Sequence, residues 1–108
     1  MLPYTTDEIR RRITPVAREY KLAAVYLFGS YARGEATAES DVDLLVDISG
    51  TDIDSLLKLG GLYSALEAAL GTSIDLVTLD SLDEPTDRRS QLHFREAIRR
   101  ERMVIYAA

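Results

Sequence analysis

The run Leu22 to Phe28 consists almost entirely of aliphatic, aromatic and β-branched residues and stops at Gly29. A run of this kind, bounded by glycine, reads as a buried strand. Ser30 to Gly34 follows as a short helix, and Gly34 to Ser40, small and polar, as a loop. Asp41 to Ile48 then reads as a second strand. Val42, Leu44, Val46 and Ile48 share one face, and Asp41, Asp43, Leu45 and Asp47 the other. Two such strands joined through a glycine turn and a short helix constrain the chain more than any other feature. Their apolar faces demand helices packed against a small sheet.

The remaining segments supply those helices. Thr5 and Glu8 stand at capping-box spacing, and Ile9, Ile13, Val16, Ala17 and Tyr20 continue as one apolar helical stripe. Pro15 removes a backbone donor inside that stripe, which predicts a kink or a second segment beginning near it. Asp52 or Asp54 is placed to cap a helix running to about Leu70 and closed by Gly71. Its leucines 56, 59, 62, 66 and 70 form an expected core stripe. Gly60 and Gly61 interrupt it, pointing to a close helix–sheet contact or a local break. Thr72 to Leu79 reads as a third strand, residues 80–86 as a polar loop, and Asp87 to Arg102 as an arginine-rich helix. Met103 to Tyr106 could add an edge strand. The fold class is α/β or α+β, a small mixed sheet flanked by helices, with strand order and direction left open.

At 108 residues the chain is expected to form one domain, residues 1–108. It has no cysteine and one histidine, His93, which excludes disulfides, thiolate metal sites, cysteine nucleophiles and two-histidine mechanisms. No stretch approaches the roughly 20 apolar residues of a membrane span, and no signal-peptide pattern opens the chain, so a soluble cytoplasmic protein with no membrane partner is expected. The net charge of −5 is unevenly spread. Residues 35–87 carry thirteen acids against the single base Lys58, whereas residues 88–108 carry six arginines against Glu96 and Glu101. The acidic balance argues against DNA as the main partner, because phosphate contacts need a basic face. The acidic middle repels itself unless water screens it or a cation sits there.

One constellation carries chemistry. Glycine at position 29 allows a tight turn and close approach of a ligand to the main chain. Ser30, at a helix start, sets its hydroxyl beside unpaired amides, a ready phosphate site. Asp41 and Asp43, at i and i+2 of a strand, point the same way. Two carboxylates so placed call for a hard cation with oxygen ligands, Mg²⁺ or Mn²⁺ rather than zinc. Asp75 lies between Ile74 and Leu76 and faces away from them. If its strand neighbours that of Asp43, the three acids form a site of the kind that binds one or two metal ions roughly 3.5–4 Å apart and aligns a nucleoside triphosphate. Asp75 is also placed to serve as general base.

Leu27-Phe28-Gly29-Ser30-Tyr31-Ala32-Arg33-Gly34-Glu35-Ala36, with Ser40-Asp41-Val42-Asp43-Leu44-Leu45-Val46, closely resembles the minimal nucleotidyltransferases of the DNA polymerase β-like superfamily. The resemblance extends through Ser73-Ile74-Asp75-Leu76-Val77 to the arginine-rich terminal helix. It implies glycine and serine of the nucleotide site at Gly29 and Ser30, metal-binding aspartates at Asp41 and Asp43, the third acid at Asp75, and a triphosphate contact at Arg33. It further implies an antitoxin that uses Mg²⁺ (or Mn²⁺) to transfer AMP from ATP to a tyrosine of a HEPN toxin. The two proteins would associate, and the toxin would supply the substrate surface. A binding module that neutralises its toxin by occlusion is the alternative. Transfer to a small molecule or nucleic acid is a third reading, requiring an accessory domain.

Overall fold

A computed structural model describes residues 4–108. The first helix, α1 (Thr6–Glu19), starts as its sequence predicts. The Thr5 hydroxyl accepts from the Glu8 amide at 3.1 Å, and the Glu8 carboxylate accepts from the Thr5 amide at 3.3 Å. These bonds satisfy amides that a helix start leaves without partners. Pro15 does not divide it: α1 is one continuous helix and no second segment begins there. Pro15 is on the exposed side, and the Thr14 hydroxyl donates back to the Arg10 carbonyl one turn earlier.

The chain then runs through β1 (Ala24–Phe28), α2 (Gly29–Arg33) and β2 (Val42–Asp47). After them come α3 (Leu56–Leu70), β3 (Ile74–Thr78), a short 3₁₀ turn (Asp80–Asp83), α4 (Arg89–Glu101) and β4 (Met103–Ala107). The four strands form one mixed sheet in the order β3-β2-β1-β4. The neighbours of β1 are both antiparallel to it, while β2 and β3 are parallel. A parallel pair cannot be closed by a hairpin, and α3 provides the crossover that joins them. The terminal apolar tail is the edge strand expected of it. No helix among the described residues is long and apolar enough to cross a membrane.

Strand alternation divides the interior in two. Val25 and Leu27 of β1, Val42, Leu44 and Val46 of β2, and Ile74 of β3 face α1 and α3. There they pack with Ile9, Ile13, Val16 and Ala17, and with Leu62, Leu66 and Leu70. On the other face Phe28 and Leu45 pack with Ile98 of α4 and Leu82 of the 3₁₀ turn, flanked by Tyr26, Val77 and Leu79. Arg102 lies over the Tyr26 ring at 4.9 Å, extending this thinner cover with a cation–π contact.

Three expectations for α3 are corrected. Ser55, not Asp52 or Asp54, caps it, its hydroxyl accepting from the Lys58 amide. Leu56 is 87% exposed, because the helix begins beyond the sheet and only its later turns reach the core. Gly60 and Gly61 mark neither a close sheet contact nor a break. Both are exposed within a continuous helix, and a Cβ on Gly60 would meet open space. Gly71 ends the helix with φ +68°, as its sequence position predicts.

Candidate active site

The sheet register assembles the site. Phe28 is paired with Asp43 across the antiparallel β1–β2 ladder, and Asp43 with Asp75 across the parallel β2–β3 ladder. One row perpendicular to the strands therefore carries an aromatic ring and two carboxylates. All three side chains lie on the face that α4 and the 3₁₀ turn cover. The next row on that face, Tyr26, Leu45 and Val77, is apolar. The condition left open by the sequence, that the Asp75 strand neighbour the Asp43 strand, is met.

Asp43 and Asp75 are close enough for a side-chain hydrogen bond, and Asp43 is half-buried. Burial, that hydrogen bond and the charges of Asp75 and Asp41 push the Asp43 carboxyl up from 3.8 to about 6, while the nearby Arg33 guanidinium pulls it down. Asp41 lies just before β2, exposed, and acts on Asp43 through its charge. As the side chains stand, no group of three acids among the described residues is gathered into a ligand cage. Two acids meet and the third stands beside them. The donor set nonetheless fits a hard divalent ion: all donors are oxygen, and two like charges are held together at a cost such an ion removes.

Gly29 turns the chain from β1 into α2 with φ +72°. Its α-carbon packs so closely on Asp43 that a Cβ there would fall 2.0 Å from Asp43 Oδ2. Glycine at this position therefore serves two purposes: the left-handed backbone, and room for the carboxylate. No side chain caps the start of α2, so its first-turn amides keep their donors for another acceptor. Ser30 sits in that first turn, partly exposed. At the other end of α2, Arg33 is ion-paired with Glu101 of α4 (Nη1 to Oε2, 3.0 Å) and with Glu35 (Nε to Oε1, 3.4 Å).

These groups line one cavity of about 580 Å³, a volume typical of small-ligand sites. Gly29, Ser30, Arg33, Asp43 and Asp75 line it together, so five of the six residues singled out from the sequence converge on one space. Asp41 does not line it. The cavity also has walls that sequence reasoning did not single out: Phe28 from β1, Leu76 and Val77 from β3, and Phe94, Ala97, Ile98 and Glu101 from α4. The α4 set was visible in principle. Positions 94, 97, 98 and 101 recur at helical i, i+3, i+4, i+7 spacing, a face hidden among the arginines. Asp47 lies two rows from Asp43 on the same face. Its Oδ1 accepts from the Ser49 amide and hydroxyl, closing the turn after β2.

Comparison with known proteins bears on what such a cavity does. A family model described as nucleotidyltransferase domain matches residues 9–104. The protein adenylyltransferase MntA of Thermococcus cleftensis is 43% identical over 86 residues, covering 76% of this chain and 85% of that one. A solved chain described as a candidate minimal nucleotidyltransferase superposes with a TM-score of 0.66 at 31% identity, over 94% of this chain and 96% of its own. The fold also matches, at TM-score 0.63 and 22% identity, a complex of a tri-AMPylated Shewanella oneidensis HEPN toxin with an MNT antitoxin, over 96% of this chain and 74% of that one.

Proposed function

The chain belongs to the nucleotidyltransferase domain family, and on that premise we propose that it is an antitoxin that transfers AMP from ATP to a tyrosine hydroxyl of a HEPN toxin. The observation that carries this reading is the pairing of Asp43 with Asp75 against the Gly29 turn, inside a cavity of nucleotide-binding size. A protein that only occluded its partner would have no use for two carboxylates held together against their own repulsion.

Asp41, Asp43 and Asp75 are the residues to hold Mg²⁺ or Mn²⁺. When bound, the divalent ion would neutralise phosphate charge and the charge developing on the leaving pyrophosphate. The remaining roles belong to the chain. The Gly29–Ser30 amides and the Ser30 hydroxyl donate to the β- and γ-phosphates. Arg33 gives its guanidinium to the triphosphate and exchanges its ion pair with Glu101 for it. Asp75 accepts the proton of the tyrosine hydroxyl. The tyrosine oxygen bonds to the α-phosphorus, the bond from that phosphorus to the bridging oxygen breaks, and the electron pair leaves with pyrophosphate. Positioning and charge neutralisation supply most of the rate. The toxin brings the acceptor, so the active unit is a hetero-oligomer, and ATP as donor implies a cytoplasmic setting.

Mass spectrometry of the cognate toxin after incubation with the protein, ATP and Mg²⁺ tests this. A gain of one AMP mass, or a multiple, on tyrosine is expected with the wild type. Asp43→Asn should reduce the rate by a factor on the order of 10³, the scale of losing a group that stabilises transition-state charge. Undiminished transfer by that variant would remove the carboxylate site. An unmodified toxin in a tight complex would establish occlusion instead.

A further inference from the structure

The cavity lining is of two chemical kinds, which meet where Phe28 pairs with Asp43. One is made of Gly29, Ser30, Arg33, Asp43 and Asp75, all polar groups or open backbone. The other is made of Phe28, Val77, Phe94, Ala97 and Ile98, and contains two aromatic rings. Phe28 is buried in the sheet, but Phe94, on α4, is 50% exposed. The two rings meet edge to face, with centroids 6.1 Å apart and planes at 78°. In that geometry the Phe28 ring braces the Phe94 ring at a fixed tilt, with half its surface open. The Arg33–Glu101 ion pair links α2 to α4 between the polar and aromatic walls, and Glu101 stays on the cavity wall when Arg33 turns to the triphosphate.

A nucleotide has the same division: an anionic chain at one end and a flat aromatic base at the other. Resting on the reading of the polar groups given above, we propose that Phe94, braced by Phe28, is the platform on which the nucleobase of the donor stacks, and hence a residue that determines donor affinity. Its commitment to the base rather than to the acceptor tyrosine follows from continuity. Phe94 lines the same cavity as Ser30, Arg33 and Asp43, where the phosphates of the donor lie, whereas the acceptor must enter from outside with the rest of its protein. Stacking on a phenyl ring is tolerant of base identity, since every base has a π face. Base selectivity would therefore come from polar edges such as the Glu101 carboxylate and not from Phe94.

The test is binding of two probes to the full chain in Mg²⁺ by calorimetry: a non-hydrolysable ATP analogue, and inorganic tripolyphosphate, which has no base. In Phe94→Ala the dissociation constant for the analogue should rise about 10-fold, within the range for loss of one base–aromatic stack, while that for tripolyphosphate stays within about twofold. Phe94→Tyr, which keeps the ring, should restore the analogue. In transfer assays the alanine variant should raise KM for ATP and leave KM for the toxin unchanged. Equal loss of both probes would make Phe94 a structural residue and overturn the proposal. Unchanged analogue binding with a raised KM for the toxin would assign the ring to the acceptor and overturn it as well. If the wild type binds neither probe, the nucleotidyltransferase reading itself falls, an outcome distinct from a defect confined to the variant.

Discussion

The two faces of the sheet are built from the same strands and differ in almost everything else. Against α1 and α3, residues from all four strands close a continuous core in which Ile9, Ile13, Leu27, Leu44, Leu62, Leu66 and Leu70 are fully buried. Against α4, only Phe28, Leu45, Leu82 and Ile98 are buried, and the Asp43–Asp75 pair and a cavity of about 580 Å³ share the surface. A close-packed face holds the strands in register, and that register places two like charges side by side on the opposite face. The stability of one layer is thus what keeps the chemistry of the other assembled, at a cost of folding energy that the polar face does not recover by itself.

If this division is right, the sharpest way to break it is substitution on the packed face. Leu66→Ala should cost about 3 kcal/mol, the usual result of emptying a fully buried leucine site, and leave nucleotide affinity of the folded protein unchanged. Urea titration and calorimetry measure the two quantities, and a changed affinity would show the faces to be coupled. Ile98→Ala on the cavity face should cost less, about 2 kcal/mol, because the gap it leaves is beside an existing cavity. It should, however, weaken nucleotide binding, which Leu66→Ala does not. Equal stability loss from the two would contradict the asymmetry.

Gly29→Ala should destabilise by about 1–2 kcal/mol through its left-handed backbone alone. Because its Cβ would displace the Asp43 carboxylate, transfer activity should fall far more than that figure implies. A variant with normal activity and lowered stability would separate the glycine from the site.

The smallest effect has the opposite sign. The Asp43 carboxyl, pushed up to about 6 from 3.8, binds its proton more tightly in the folded state than in the unfolded one. Without a divalent cation, stability therefore falls as pH rises between about 4 and 6 and stays reduced above that window. The unscreened linkage of nearly 3 kcal/mol comes down to about 1 kcal/mol for a half-exposed carboxyl. In the presence of a chelator, Asp43→Asn should accordingly be more stable than the wild type by about 1 kcal/mol at pH 7, with the gap closing by pH 4. Thermal unfolding across that range measures it, and the absence of a gap at pH 7 would mean that the pair is not strained.

Much of this molecule is legible from local pattern. The capping box at Thr5, the β1 run, the alternation of β2 and the Gly71 stop all appear where the sequence puts them, because each depends on residues a few positions apart. Leu56 and Pro15 read differently in the structure for the same reason. Periodicity identifies a helical face but not where the sheet beneath it ends, and an exposed proline is tolerated where surrounding packing holds the helix. The α4 cavity face was masked by composition. Arginines dominate the segment, yet Phe94, Ala97, Ile98 and Glu101 form one stripe between them.

By itself, the sequence determined the fold class, the order of elements, the glycine turn at position 29 and the identity of the acids worth attention. Each of these follows from short-range sterics and side-chain spacing. Only the tertiary structure decided that β3 lies parallel beside β2 with Asp75 level with Asp43, and that α4 turns an aromatic residue into the same cavity. Those facts depend on which strands pair and in what register. Strand pairing is settled by burying the α1 and α3 faces together, a global balance to which no window of local sequence has access.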